Sequence, residues 1–231
     1  MAQCRLCSRS GMFLSVSKIG LCSSCQQLVL MEARDRVRII NDSIEIIKKT
    51  QNINVALSRF DLLLEHFKAL IEYEKKGINF LSYSPTEALR KLTGDRDNTI
   101  LEWLEKEHQN VITKSKLATT PSGKLSPFSK FILVIREFKT KTTDPHKLDS
   151  IEFTVLDEYH KTTLDIHLDN ARKAELKGQK KKAIDCYYEA WYFLTHDSID
   201  DSLQQATINM ISKKITDLGG LSPDKILPAS N

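Results

Sequence analysis

The stretch ARDRVRIINDSIEIIKKTQNINVALSRFDLLLEHFKALIEYEKKG, residues 33–77, decides the fold class. Ala33, Val37, Ile40, Ile44 and Ile47 recur at alternating steps of four and three, which is the seam of an amphipathic helix. Thr50-Gln51-Asn52 interrupts the pattern. Ile53, Leu57, Phe60, Leu64, Phe67 and Ile71 then resume it, and Gly77 stands where a helix ends. Helices over about 23–49 and 53–76, with matched seams and a short break, predict an antiparallel helical hairpin. The same seams could also join two copies of the chain, so a homodimer is an expectation.

Outward from the hairpin, helix signals continue. Ser84-Pro85-Thr86-Glu87 reads as an N-cap, a first-turn proline and a capping-box glutamate. A short helix to about Leu92, a break at Thr93-Gly94-Asp95 and a second helix over about 97–109 are expected. Residues 110–126 hold Pro121, Gly123 and many Ser, Thr and Lys, and read as a linker. Ser126-Pro127 opens a helix striped by Phe128, Phe131, Ile132, Ile135 and Phe138. A strand is the alternative there. Three more helices are expected over about 146–177, 180–196 and 199–218, separated by Gly178 and closed by Gly219-Gly220. The chain therefore divides into a knuckle (1–27), a hairpin with short helices (28–109), a linker (110–126), a helical bundle (127–220) and a loose tail (221–231). With 231 residues, 41% hydrophobic and 28% charged, but only 8 Gly and 6 Pro, the composition fits a mainly α chain.

The knuckle rests on Cys4-x2-Cys7, fourteen residues, then Cys22-x2-Cys25. Zinc takes four tetrahedral ligands, and each CxxC loop offers two thiolates to one ion. Residues 1–25 lack a signal-peptide core, and no apolar run approaches the ~20 residues a membrane span needs. The expected setting is soluble and cytoplasmic, with no membrane partner. There cysteines stay reduced, and paired CxxC motifs mean metal more often than disulfide. A redox CxxC pair and an iron–sulfur site are the alternatives. Gly11 is expected to turn a β-hairpin whose strands draw on Phe13, Leu14 and Val16, and Lys18-Ile19-Gly20 to make a second turn. Cys22 and Cys25 then sit at a helix N-terminus, whose dipole favours thiolate. Four cysteines leave no open coordination position, so the zinc is read as structural.

This cysteine pattern resembles the treble-clef and zinc-ribbon families. Gly20-Leu21-Cys22-Ser23-Ser24-Cys25 is similar to the second knuckle of GATA-type fingers, and the resemblance implies the four ligands Cys4, Cys7, Cys22 and Cys25. Farther along, Gly178-x4-Ala183-Ile184-x2-Tyr187-x2-Ala190, with Ala171 before it, resembles a single tetratricopeptide repeat. That likeness implies small-on-small helix contacts and a surface for a protein partner.

No phosphate loop, HExxH or GxSxG motif is present. His160 and His167 share a helix face near Asp157 and Asp165, an arrangement more common as solvated surface than as a site. Asp197, Asp200 and Asp201 read as helix capping, and Cys186 as a small buried apolar residue. The expected function is a non-catalytic, zinc-stabilised adaptor that presents the repeat-like bundle to a protein partner. The alternative is nucleic-acid binding. It rests on Arg5, Arg9 and Lys18 in an acid-free knuckle, on Arg34, Arg36 and Arg38, and on the basic segment 113–147. The formal net charge of +4 is mild for such a role.

Overall fold

The computed structural model describes residues 2–197 and 199–223. Its elements are β1 (Ala2–Gln3), β2 (Ser10–Gly11), α1 (Ser23–Lys49), α2 (Ile53–Lys75), α3 (Pro85–Leu117), α4 (Pro121–Lys139), a 3-10 turn (Pro145–Leu148), α5 (Asp149–Leu176), α6 (Lys180–Thr195) and α7 (Asp201–Asp217). The chain is mainly α, as its periodicity implies, with one two-stranded antiparallel hairpin. None of the described helices is long and apolar enough to cross a membrane. Two compact units divide the chain: Met1–Glu105 with Phe138–Lys147, and Lys106–Glu137 with Leu148–Asn231.

In the first unit α1 and α2 pack together. Asn52 caps α2, its side chain accepting from the amides of Asn54 and Val55. Ile40, Phe60, Leu63, Phe67, Leu70 and Leu92 form the core, with Ile44, Ile47 and Leu64 against it. Leu63 and Leu70 widen the expected seam to the broader stripe of a globular helix. The two seams face each other within the chain, so nothing in this packing calls for a second copy. At the end of α2, the Gly77 amide donates to Glu74 O and the Ile78 amide to Tyr73 O, at 2.8 and 3.0 Å. This is a Schellman ending, and Gly77 supplies the positive φ of 68° it requires. Ser84 caps α3 as expected, accepting from the Glu87 amide while donating to Glu74.

Two expectations are corrected here. The break at Thr93-Gly94-Asp95 is absent, because α3 runs unbroken from Pro85 to Leu117. One glycine costs a helix only about 1 kcal/mol, which neighbouring contacts offset. Asp97 supplies such contacts: its buried carboxylate accepts from the Thr143 amide at 3.2 Å and from the Thr143 hydroxyl. Likewise, the 110–126 stretch read as a linker is mostly helix. Only Ala118–Thr120 separates α3 from α4. Thr120-Pro121 is an earlier start signal than Ser126-Pro127: the Gly123 amide donates to the Thr120 hydroxyl at 3.1 Å, and Pro121 takes the first helical position.

In the second unit α5, α6 and α7 enclose Leu168, Ala171, Tyr187, Ala190, Trp191, Leu194, Ile208, Ile211 and Ile215. Ala171, Ala183 and Ala190 are fully buried, as small residues between close helices should be. Gly178, at φ 67°, ends α5 with the same Schellman bonds, to Glu175 O and from Gln179 to Ala174 O. Cys186 is half-buried against this core, and burial pushes its thiol pKa up. Of the tail read at 221–231, residues 224–231 lie outside the described residues.

Asp200 caps α7 by accepting from the Ser202 amide at 2.8 Å. Asp197 has a larger task. Its carboxylate accepts from the Ile199 amide at 2.7 Å and from Gln204 at 3.1 Å, and it meets His160 of α5. Burial pushes its pKa up, but the Ile199 amide, Gln204 and His160 together hold it below the usual aspartate value. A depressed folded pKa gives stability that is complete above the unfolded value of about 3.9 and is lost as pH falls through the folded one. Acidifying from pH 7 to about 3 should therefore lower the urea midpoint, and Asp197→Asn should flatten the part of that fall below pH 4. An unchanged profile in the variant would remove Asp197 from the acid response.

Candidate metal centre

The first CxxC loop is held by short backbone bonds. The Cys4 amide donates to Arg9 O and the Ser8 amide to Cys4 O, both at 2.9 Å. Ser8 adopts a left-handed φ of 58° to close the loop, without the glycine that usually marks such a turn. β1 and β2 flank this loop, pairing Ala2 with Gly11 and Gln3 with Ser10. The hairpin therefore encloses the first cysteine pair, not the segment between the pairs. Gly11 is a strand residue, and Phe13, Leu14 and Val16 are not in strands. The second loop is a turn at Ser17–Gly20, where the Gly20 amide donates to Ser17 O at 2.8 Å. Gly20 has a φ of 77°, and its carbonyl accepts from the Arg5 amide at 2.9 Å, joining the two loops. Cys22 is then the N-cap of α1 and Cys25 lies in its first turn.

These elements bring the four sulfurs within 4.8 Å of one another. Cys7 Sγ and Cys22 Sγ are 3.9 Å apart. Tetrahedral zinc with Zn–S bonds of about 2.3 Å requires S···S separations of about 3.8 Å. A disulfide needs about 2.05 Å. The donor set thus fits a tetrahedral metal ion held by four thiolates, and all four cysteines are free. Among the described residues it is the group that could hold a metal.

The local electrostatics favour thiolate at Cys4 and oppose it at Cys25. The Cys7 and Cys22 amides, with that of Leu6, aim at Cys4 Sγ and lower its pKa to about 6 against the opposing effect of burial. Cys25 is pushed up to about 12, by hydrogen bonding with Cys22, by burial and by the other two sulfurs. Four crowded thiols cannot all ionise without a cation among them, and a dication removes that conflict.

Apart from two of its cysteines the knuckle buries little. Among residues 2–22 only Cys4, Leu21 and Cys22 are buried. Leu21 packs with Val29 of α1 and with Ile78 after α2, and Tyr73 and Phe80 lie against them. Arg5 reaches across and donates to the Gly77 carbonyl. The sequence carried no signal for that link, because its partners are seventy-two residues apart. A Cβ on Gly20 would stand 2.6 Å from Arg5 Cδ. Gly20→Ala should therefore cost about 1–3 kcal/mol, from φ strain and displacement of Arg5. A chelator titration should show it as weaker metal retention, and equal retention would remove Gly20 from the site's support.

No protein-family model matches this sequence, and neither a curated protein nor a solved structure shows significant similarity to it. The remaining sequence candidates are placed as follows. Arg36 turns inward, binding Glu32 at 2.7 and 2.9 Å and His66 Nδ1 at 3.2 Å. Arg38 stands 3.8 Å from Asp35. Arg34 and Arg38 line a depression of about 480 Å³ floored by Leu30, Val37, Phe80 and Leu81. His160 and His167 do not join Asp157 and Asp165. Both pack against Phe193, at ring distances of 4.7 and 6.0 Å, and meet Asp197 and Glu189 respectively. Asp157 pairs with Lys161 at 2.6 Å.

Proposed function

We propose that this chain is a non-catalytic adaptor whose four-cysteine centre holds a structural zinc ion and whose α5–α7 bundle receives a protein partner. Zinc suits the donor set best: four thiolates, tetrahedral spacing and no open position. In this reading the ion would be held by Cys4, Cys7, Cys22 and Cys25, and it fixes the start of α1. The treble-clef and tetratricopeptide resemblances support the reading from the sequence side.

The observation that carries the partner surface is a groove of about 380 Å³ lined by Leu168, Arg172, Glu175, Leu176, Tyr187, Met210 and Lys214. Its polar groups are ordered. Glu175 accepts from the Tyr187 hydroxyl and from Lys214 at 3.3 Å, which hold its pKa below the usual carboxylate range. Its apolar rim is open, with Leu176 88% and Met210 41% exposed. A partner segment with one or two apolar side chains would cover that rim. The His–carboxylate pairs tie α5 to α3 and to Asp197 just after α6, beside aromatic rings, an architectural role that supports the non-catalytic assignment.

The test is affinity capture from the source cells with the parent chain and with Leu176→Glu/Met210→Glu. Both changes are at exposed positions, so fold and metal content should be retained. The expected result is one or more proteins held by the parent and released by the double variant. Identical captured sets would defeat the reading.

A further inference from the structure

The four cysteines of the metal centre are not equivalent. Cys4 and Cys22 are buried, Cys25 is half-buried and Cys7 is exposed. Cys7 lies in the turn of the first loop, beside the left-handed Ser8. Its sulfur stands 3.9 Å from that of Cys22, which belongs to the second cysteine pair. Cys4 is the better protected neighbour, because its sulfur accepts from the Cys22 amide at 3.4 Å. Such a bond stabilises a thiolate and lowers its nucleophilicity. A cysteine that coordinates a metal ion is a thiolate, the form that peroxides oxidise. Susceptibility then follows access, and of the four ligands Cys7 has the most.

We propose that the four-cysteine centre is a peroxide-sensitive switch, in which Cys7 is oxidised first and Cys22 closes a disulfide onto it. The inference rests on the zinc reading given above. The Cys7 thiolate attacks one oxygen of hydrogen peroxide, the O–O bond breaks, and a sulfenic acid and hydroxide result. The Cys22 thiolate then attacks the Cys7 sulfur, forming the S–S bond and expelling a second hydroxide. Two thiolates have given up two electrons, and the peroxide has taken them. The two sulfurs must close from 3.9 Å to a bond of about 2.05 Å. The knuckle permits this, since only Cys4, Leu21 and Cys22 of residues 2–22 are buried. Cys4 and Cys25 are left as two thiolates where a closed structural site needs four, so the ion is released. Cys22 is the N-cap of α1, so the change is delivered at the start of that helix. Reducing the disulfide restores all four ligands and makes the step reversible.

The test uses the full chain with Cys186→Ala, so that only the four cluster cysteines report. Zinc is measured first, then its release to a colorimetric chelator under ~10 equivalents of hydrogen peroxide, an excess that the sulfenic acid step requires. The expected result is one zinc released with two thiols lost, a first disulfide mapped by peptide mass to Cys7 and Cys22, and recovery on adding dithiothreitol and zinc. Cys7→His keeps a fourth zinc ligand but no thiol at the exposed position, and should lose the fast release. Cys25→His should keep it, because Cys7 and Cys22 remain. A chain that holds no zinc from the start would defeat the zinc reading and this inference with it. A zinc-loaded chain that keeps its ion under peroxide would defeat this inference alone. So would release at the parent rate in Cys7→His, or a first disulfide other than Cys7–Cys22.

Discussion

Chelating the metal should release one zinc ion per chain and unfold residues 2–22, while most of the far-UV helical signal persists. The argument is one of size. That segment has three buried residues, and two of them are cysteines of the four-cysteine cluster. A segment with so little apolar burial cannot offset the conformational entropy of ordering its backbone, about 1–2 kcal/mol per residue. Structural zinc contributes on the order of 10–16 kcal/mol to such a knuckle. Its loss leaves nothing of comparable size. The effect should also spread beyond the knuckle. Leu21 shares a cluster with Val29, Ile78, Tyr73 and Phe80, and Arg5 ties the first loop to Gly77. The start of α1 and the end of α2 should therefore lose hydrogen-exchange protection on chelation, while α5–α7 keep theirs. Cys4→Ser should reproduce the effect more fully than Cys7→Ser, because Cys4 is buried and receives amide donors whereas Cys7 is exposed. Cooperative melting of the whole chain on chelation would overturn this modular account. So would a full complement of protected amides in residues 2–22 without metal.

What the sequence made legible follows from the range of the interactions. The four cysteines could be read because a ligand set depends on residue type and spacing, both of which are local. The Gly77 and Gly178 endings were legible for the same reason: only glycine takes a positive φ there at no steric cost. The bounds of α1, α2 and α5–α7 followed from apolar periodicity and capping. The misreadings occurred where a weak local signal met a tertiary one. Gly94 suggests a break, but contacts such as that of Asp97 with Thr143 forty-six residues away accompany the continuous helix. Residues 110–126 have the composition of a loop, yet only three of them lie outside helix. The sequence pattern puts the hairpin one loop too late, because Ser8 closes the first turn without a glycine. The inward turn of Arg36 depends on Glu32, Tyr73 and His66, and only the first of these is near it in sequence.

Phe60→Ala should be the most damaging single apolar truncation in the α1–α2 hairpin, costing about 3–5 kcal/mol. Phe60 is 3% exposed and lies in one cluster with Ile40, Leu63, Phe67, Leu70 and Leu92, which come from three helices. Removing its ring deletes buried apolar surface and leaves a cavity that fixed helices cannot collapse into. Domains of this size have only about 5–15 kcal/mol in total, so the first unit would sit near the edge of stability. The readout is a urea titration followed by both ellipticity and zinc release. The expected result is a first transition moved to lower urea, with metal lost in the same step, because the knuckle packs on the ends of α1 and α2. A second transition, belonging to α5–α7, should keep the parent midpoint. A single transition shifted as a whole would mean that the two units unfold as one. A shift below about 1 kcal/mol would mean that the hairpin core is looser than its packing shows.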